Sequence, residues 1–135
     1  SKMKKYSCHK ISEGCAEAEA IVSKDHIMFY LMNPETGEVI EKAHDLEGRS
    51  VAKKVLIFPG GKGSSVVQAD GLYQLKMNQN MPAAMIVQYP ETVLVSSAII
   101  MEVPMVDKVD PAFYEDVKDG DRIRVDADNG IIEIL

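Results

Sequence analysis

One segment near the middle of the chain limits the possible folds more than any other. Val55-Leu56-Ile57-Phe58 is a continuous apolar run, which is typical of a strand covered on both faces. Pro59-Gly60-Gly61-Lys62-Gly63 follows as a sharp turn, and Ser64-Ser65 can cap a helix that we predict over residues 66–78. Gly71 lies inside that helix and costs about 1 kcal/mol relative to Ala. The pattern predicts a strand–turn–helix unit.

The turn of this unit has the composition of an anion-binding loop. Glycines at three of the four positions 60–63 remove Cβ atoms, so main-chain N–H groups can approach an anion closely. A helix N-terminus and Lys62 add positive charge, and two hydroxyl groups follow. The alternative is a tight turn in which Ser64 or Ser65 only caps the helix. The order of Lys62 and Gly63 excludes a Walker A loop, and Val66 stands where a dinucleotide-binding fingerprint needs its third glycine.

The rest of the chain reads mainly as short strands. Residues 15–23 alternate in a way that fits a strand, although a helix stays open, and Asn129-Gly130 between two alternating runs is a strong hairpin signal. Further strands are predicted at 5–11, 26–32, 38–40, 51–58 and 84–88, an apolar stretch at 93–95 with a short helix after Ser96, a helix at 111–117, and the hairpin strands at 122–126 and 131–135. This order predicts a mixed α/β fold, in which a small barrel-like sheet is partly covered by two or three helices.

Length and charge narrow the class of protein. The chain has 135 residues, which predicts a single domain over residues 1–135. Its formal net charge is −6, so it has no basic excess for nucleic acid, and no apolar run is long enough for a membrane span. The polar start at residues 1–10 has no apolar core of a secretory signal, so we expect a cytoplasmic protein.

The cysteines, histidines and acidic residues give only weak candidates. Two cysteines, Cys8 and Cys15, are too few for a four-cysteine zinc site or the usual iron–sulfur ligands; we expect reduced thiols, with a disulfide between them as the alternative. No base-orienting partner stands at a recognisable spacing from the histidines, which we interpret as incidental. The acidic residues of 107–121 are interpreted as a solvated face rather than a metal site, and those of 126–130 as a hairpin rather than a calcium loop. The histidines are His9, His26 and His44.

The central segment also resembles a known family. Residues 47–65, Glu-Gly-Arg-Ser-Val-Ala-Lys-Lys-Val-Leu-Ile-Phe-Pro-Gly-Gly-Lys-Gly-Ser-Ser, look like the signature of the aconitase X swivel domain, the small subunit of two-part aconitase X dehydratases. Segments 14–20, 102–106 and 118–126 fit the same family in the same order, so the resemblance spans nearly the whole chain. It implies a swivelling β/β/α domain that docks on a large catalytic subunit carrying a 4Fe-4S cluster.

The resemblance also implies roles for the loop. By position, Ser64 is the proton-abstracting base, and Ser65 with Gly61, Lys62 and Gly63 binds the substrate. Which of the two serines is the base stays open. The family implies a hydro-lyase (dehydratase) that is active only with its large subunit. Its substrate is mevalonate 5-phosphate, which Lys62 and the glycines suit, or another hydroxy acid such as cis-3-hydroxy-L-proline.

A second function of a different class fits the same loop. The chain could act alone as an anion- or phosphate-binding module without catalysis, because the loop chemistry needs no partner to bind an anion. In that case it would form no complex with an aconitase-like large subunit.

Overall fold

The structure is a computed structural model that describes residues 3–135. An eight-stranded sheet dominates it, with strand order β1-β10-β9-β3-β6-β7-β8-β2, and a separate small hairpin is formed by β4 and β5. The strands are β1 Lys4–Ser7, β2 His9–Ser12, β3 Cys15–Val22, β4 Met32–Asn33, β5 Glu38–Val39, β6 Val55–Phe58, β7 Ala84–Val87, β8 Met105–Asp107, β9 Arg122–Asp126 and β10 Ile131–Ile134. Residues 1–2 of the predicted domain lie outside the described residues.

The two edges of the sheet meet at one point of the chain. Strands β1 and β2 occupy opposite edges, yet only Cys8 separates them in sequence. The N–H of Cys8 donates to the carbonyl of Gly130 at 3.0 Å, which ties this corner to the β9–β10 hairpin. The sheet therefore curls until its edges adjoin, and the prediction of a mixed α/β fold with a barrel-like sheet is confirmed. The predicted strand at 5–11 is in fact these two strands, because the chain changes edges at Cys8.

In the described residues three α-helices cover the sheet: α1 Ser65–Met77, α2 Thr92–Ile100 and α3 Pro111–Asp116. The predicted helices at 66–78 and 111–117 are confirmed within one residue at each end. The start of α2 was predicted wrongly, because it lies at Thr92 and includes the apolar stretch 93–95. Its cap is the carboxylate of Glu91, which accepts from the N–H groups of Val93 and Leu94 at 2.9 and 2.8 Å.

The prediction of a strand at 26–32 was also wrong. Ile27 forms an isolated bridge, a short 3-10 helix follows at Phe29–Leu31, and strand pairing begins only at the last residue of the segment, Met32 of β4. The ring of Phe29 packs edge-on against Phe58 with 5.9 Å between centroids, and its main chain lies on α1 at Gly71. A Cβ at Gly71 would lie 2.5 Å from main-chain atoms of Phe29 and Tyr30, so this close packing requires the glycine that helix propensity disfavours.

The apolar run of β6 is buried on both faces, as predicted. Leu56 and Phe58 point into a core beneath α1 and α2, whereas Val55 and Ile57 point into a second core inside the curled sheet, which Phe113 of α3 closes. Alternate side chains of one strand thus join the two layers. The loop that follows Phe58 is therefore attached to a strand that is buried along its whole length.

Candidate active site

The glycine loop lies where several parallel strands end. Strands β3, β6, β7 and β8 run parallel to one another in that order, so the segments that follow them emerge at the same edge of the sheet. The chain after β3 pairs with the loop, because Ile27 N–H donates to Gly60 O and Lys62 N–H donates to Ile27 O, both at 2.9 Å. The N–H of Tyr89, after β7, donates to Pro59 O at 2.8 Å. Open α/β sheets commonly bind ligands at this edge.

Ser64 lies at the N-cap of α1, directly after the loop. Its Oγ accepts from the N–H of Val67 at 3.4 Å, and the residue is exposed. Gly63 before it has φ +101°, a conformation that favours glycine, so the turn into the helix depends on this residue. Helix N-termini carry partial positive charge, which favours a negatively charged oxygen at Ser64.

The other predicted site residues are neighbours of Ser64 in the sequence, and they differ in whether their hydrogen-bonding groups are already used within the chain. Ser65 is the first residue of α1 and is exposed. Within residues 3–135, the N–H groups of Gly63 and Ser65 donate to no carbonyl or side-chain oxygen, so both are available to an anion. Lys62 is engaged, because its Nζ donates to Oε2 of Glu41 at 2.6 Å. Its positive charge is therefore balanced within the chain.

A buried polar pair behind the loop was missed by the sequence interpretation. Gln68, in the first turns of α1, is 2% exposed, and its Nε2 donates to Oε1 of Glu91 at 2.8 Å. The carboxylate dictates the orientation of the amide, since only the NH₂ group can donate to it. Oε1 of Gln68 faces Gly61, where a Cβ would overlap it, and has no hydrogen-bond partner among residues 3–135. No local motif identifies either residue, because their roles depend on how α1 and α2 pack together.

Two of the histidines also lie at this edge, one of them on its surface. The ring of His26 stacks on Tyr89 at 6.2 Å between centroids. His44 is buried, where its Nδ1 accepts from Leu46 N–H and its Nε2 lies 2.9 Å from the carbonyl of His26. Nε2 therefore carries the proton and donates to that carbonyl. His44 holds the main chain of residues 26–46 in place and is not free for catalysis.

The remaining sequence candidates lie elsewhere. His9 donates from Nδ1 to the buried carboxylate of Asp107 at 2.7 Å, on the β2–β8 pair. Asp126 accepts from the N–H and the side-chain amide of Asn129, as the hairpin interpretation predicts. Within residues 3–135, no three His, Cys, Asp or Glu side chains are grouped so that they could hold a metal ion. In the same range, no helix has the length and apolar character needed to cross a membrane.

The cysteine donor set does not suit an iron–sulfur cluster. Cys8 and Cys15 are both free thiols, so the expectation of reduced thiols is confirmed and the disulfide alternative is wrong. Burial, with the charges of Asp126 and Asp107, raises the pKa of Cys8 to about 11. Burial and Asp126 also raise the pKa of Cys15. Cluster ligation needs thiolates, which both environments disfavour.

Comparison with known proteins decides the family. The family model for the aconitase X swivel domain matches residues 5–134. The chain belongs to the aconitase X swivel domain family. Among solved structures, this swivel domain is similar to the crystal structure of Thermococcus kodakaraensis aconitase X in its holo-form, with a TM-score of 0.88, 44% identity and 98% of both chains covered.

The relatives of the swivel domain carry a more specific name. It is 48% identical to the phosphomevalonate dehydratase small subunit of Methanothrix thermoacetophila, over 93% of this chain and 90% of the relative. It is 40% identical to the protein of the same name from Archaeoglobus fulgidus, over 97% and 98%. The predictions of a dehydratase small subunit and of a hydro-lyase are thereby confirmed at the level of the family, and a small subunit implies a large one.

Proposed function

We propose that this chain, as a single swivel domain over residues 1–135, is the small subunit of a two-subunit hydro-lyase and supplies Ser64 as the base of a shared active site. The observation that carries the proposal is the position of Ser64: an exposed hydroxyl at the N-cap of a 13-residue helix, directly after a glycine loop. An exposed site at the edge of one subunit suits a site that a second subunit completes.

The chemistry assigned to Ser64 is proton transfer from carbon. Its oxygen takes the proton from the carbon next to the hydroxyl-bearing carbon, the C–H electron pair becomes the double bond, and the hydroxyl group leaves with the electron pair of its C–O bond. The abstracted proton and this hydroxide together make up the water that is released, and loss of the proton returns the Ser64 oxygen to its ionised form. A serine hydroxyl is a weak acid, so the oxygen needs stabilisation in its ionised form. The N–H of Val67 and the N-terminus of α1 supply that stabilisation in this chain.

The rest of the loop is proposed to hold the substrate. The free N–H groups of Gly63 and Ser65 and the hydroxyl of Ser65 are the donors available to a phosphate or carboxylate. Gly61 forms the start of the same loop, and Lys62 adds an ammonium group beside these donors, although Glu41 holds it in this chain. We propose mevalonate 5-phosphate as the substrate, which the names of the relatives support. The loop of Lys62 and glycines suits its phosphate better than it suits a hydroxyproline.

The partner and the cofactor lie outside this chain in the proposal. We place the expected 4Fe-4S cluster on the large subunit, because the thiols here disfavour thiolate formation. The leaving hydroxyl must then be received by a group of the large subunit. We place the complex in the cytoplasm, where free thiols persist.

The anion-binding module remains the competing function. The Glu41–Lys62 ion pair argues against it, because a site that acts alone on an anion gains most from an uncompensated lysine. The two functions differ in whether the isolated chain binds phosphate and whether it forms a stable complex with the large subunit.

The test is a dehydration assay of the reconstituted two-subunit complex with mevalonate 5-phosphate and with cis-3-hydroxy-L-proline. Ser64→Ala is expected to lower kcat on the order of 10²- to 10⁴-fold, which is the range for loss of a general base. Ser65→Ala, the matched control, is expected to raise KM with a smaller effect on kcat. Activity of Ser64→Ala within a few-fold of wild type contradicts the assignment, and failure to form any complex favours the binding module.

A further inference from the structure

Oε1 of Gln68 is a buried acceptor that nothing in the described chain satisfies. Buried polar atoms are nearly always hydrogen-bonded, and one that is not carries a desolvation cost, so its persistence points to a function. The amide cannot turn to relieve it, because its Nε2 is held by Glu91. Glu91 is itself fixed as the cap of α2 by the N–H groups of Val93 and Leu94.

The unpaired oxygen points at the loop that carries Ser64. It contacts Gly61 so closely that any Cβ there would overlap it. The N–H of Gly61 donates to no carbonyl or side chain within residues 3–135, although its neighbours at 60 and 62 are both bonded to Ile27. The N–H of Gly61 has no acceptor and Oε1 of Gln68 has no donor, and the two residues are in contact three residues before Ser64.

We propose that Gln68 is a positioning residue for Ser64: fixed by Glu91, its Oε1 accepts the N–H of Gly61 when the large subunit engages the loop. This inference rests on the proposed function of Ser64 as the base. The hydrogen bond fixes the glycine loop, and with it the N-cap, in one geometry for proton transfer. A displacement of about 1 Å at a reacting group can lower the rate on the order of 10²-fold, so such a contact has a large kinetic effect.

The first experiment measures kcat, KM and thermal stability of the reconstituted complex with Gln68→Leu. Loss of the acceptor is expected to lower kcat on the order of 10- to 100-fold with little change in KM. Gln74→Leu, on the exposed side of the same helix, is the matched control and is expected to behave as wild type. If Gln68→Leu and Gln74→Leu have equal kcat values, the inference is overturned.

A second pair of variants separates positioning from packing. Gly61→Ala is expected to lower both kcat and thermal stability, because its methyl group overlaps Oε1 of Gln68. The double variant Gly61→Ala/Gln68→Ala has space for that methyl group, so its thermal stability is expected to recover. Its kcat is expected to stay low, because Oε1 of Gln68 is no longer there to accept the N–H of residue 61. Recovery of kcat to the wild-type value in the double variant would mean that Gln68 only fills space, which overturns the proposal.

Gln68→Glu adds a readout in pH. The introduced carboxyl group faces Glu91, and two carboxyl groups at hydrogen-bond distance share a proton only at low pH. Its kcat relative to wild type is therefore expected to rise as pH falls, whereas a flat ratio contradicts the proposal. Ser64→Ala is assayed alongside: if it remains active, the proposed base fails, and if it is inactive while Gln68→Leu is not, only the present inference fails.

Discussion

The parallel and antiparallel halves of the sheet differ in whether their polar side chains are paired with one another. On the antiparallel half, Glu17 of β3 accepts from both Arg122 and Arg124 of β9, and Arg124 also reaches Glu133 of β10. At the ends of the parallel strands, by contrast, Oε1 of Gln68 and Oε1 of Glu41 are buried and find no hydrogen-bond partner in the described part of the chain.

This difference indicates which part of the protein has donors and acceptors that are available to a ligand or a partner. Antiparallel strands pair their own side chains across the ladder, and among residues 3–135 the antiparallel half has no buried side-chain polar atom without a partner. Parallel strands end in loops and helix N-termini whose donors and acceptors face outward. The parallel edge is therefore the half of the protein that a substrate and a partner can complete.

The largest effects on stability should come from substitutions in the two cores, but only one of the two cores should also affect kcat. Phe58→Ala, beneath the loop, and Phe113→Ala, inside the curled sheet, are each expected to cost about 3–5 kcal/mol of stability. Only Phe58→Ala should also lower the kcat of the folded complex, because Phe58 directly precedes the loop. Denaturant unfolding gives the loss of stability, and kcat is measured at a temperature at which both variants are folded. Equal losses of kcat in the two variants would contradict this difference between the cores.

A smaller effect is expected from the charged network of the antiparallel half. Glu17→Gln should lower Tm by less than either phenylalanine variant, with a difference that shrinks at high salt and no change in kcat. Hydrogen bonds from Arg122 and Arg124 lower the pKa of Glu17 from its ordinary value of 4.5. Its contribution is therefore present above pH 4.5 and is lost as pH falls through the depressed pKa. Acid unfolding curves that coincide for wild type and Glu17→Gln would contradict this.

Near neutral pH the smallest effect should come from Cys8, at the corner where the sheet edges meet. Its pKa is raised from 9.0 to about 11, so the unfolded chain loses the thiol proton first as pH rises. Stability should fall between pH 9 and about pH 11, and Cys8→Ser should remove that part of the fall without changing kcat near neutral pH. Unfolding measured across this range checks the sign. A pH dependence that is the same in Cys8→Ser speaks against the assignment.

Local signals predicted much of the fold. The start of α1 follows from glycines and serines adjacent in sequence, and the β9–β10 hairpin follows from Asn129-Gly130. Residues 26–32 were predicted wrongly because Phe29 packs against Phe58 and Gly71, contacts that overrule the β propensity of the segment. The start of α2 was missed because its cap is a glutamate, which is not among the preferred capping residues.

The site was predictable only in part, for a related reason. The glycine loop and Ser64 form one continuous motif, so their placement could be read from the sequence. Glu41, Gln68 and Glu91 are distant along the chain, and they meet the loop only after β5, α1 and α2 have packed. Ordinary residue types that act through long-range contacts leave no pattern in a single sequence.

The measurement that tests the account most directly separates the two roles of Ser64, as cap and as base. Asn caps a helix about as well as Ser, so Ser64→Asn should keep the thermal stability of wild type, whereas Ser64→Ala should lose about 1 kcal/mol. Both variants should lower the kcat of the reconstituted complex on the order of 10²-fold or more, because neither side chain can replace the serine oxygen as the base. If Ser64→Asn keeps both the stability and the kcat of wild type, Ser64 only caps α1 and the central claim is contradicted.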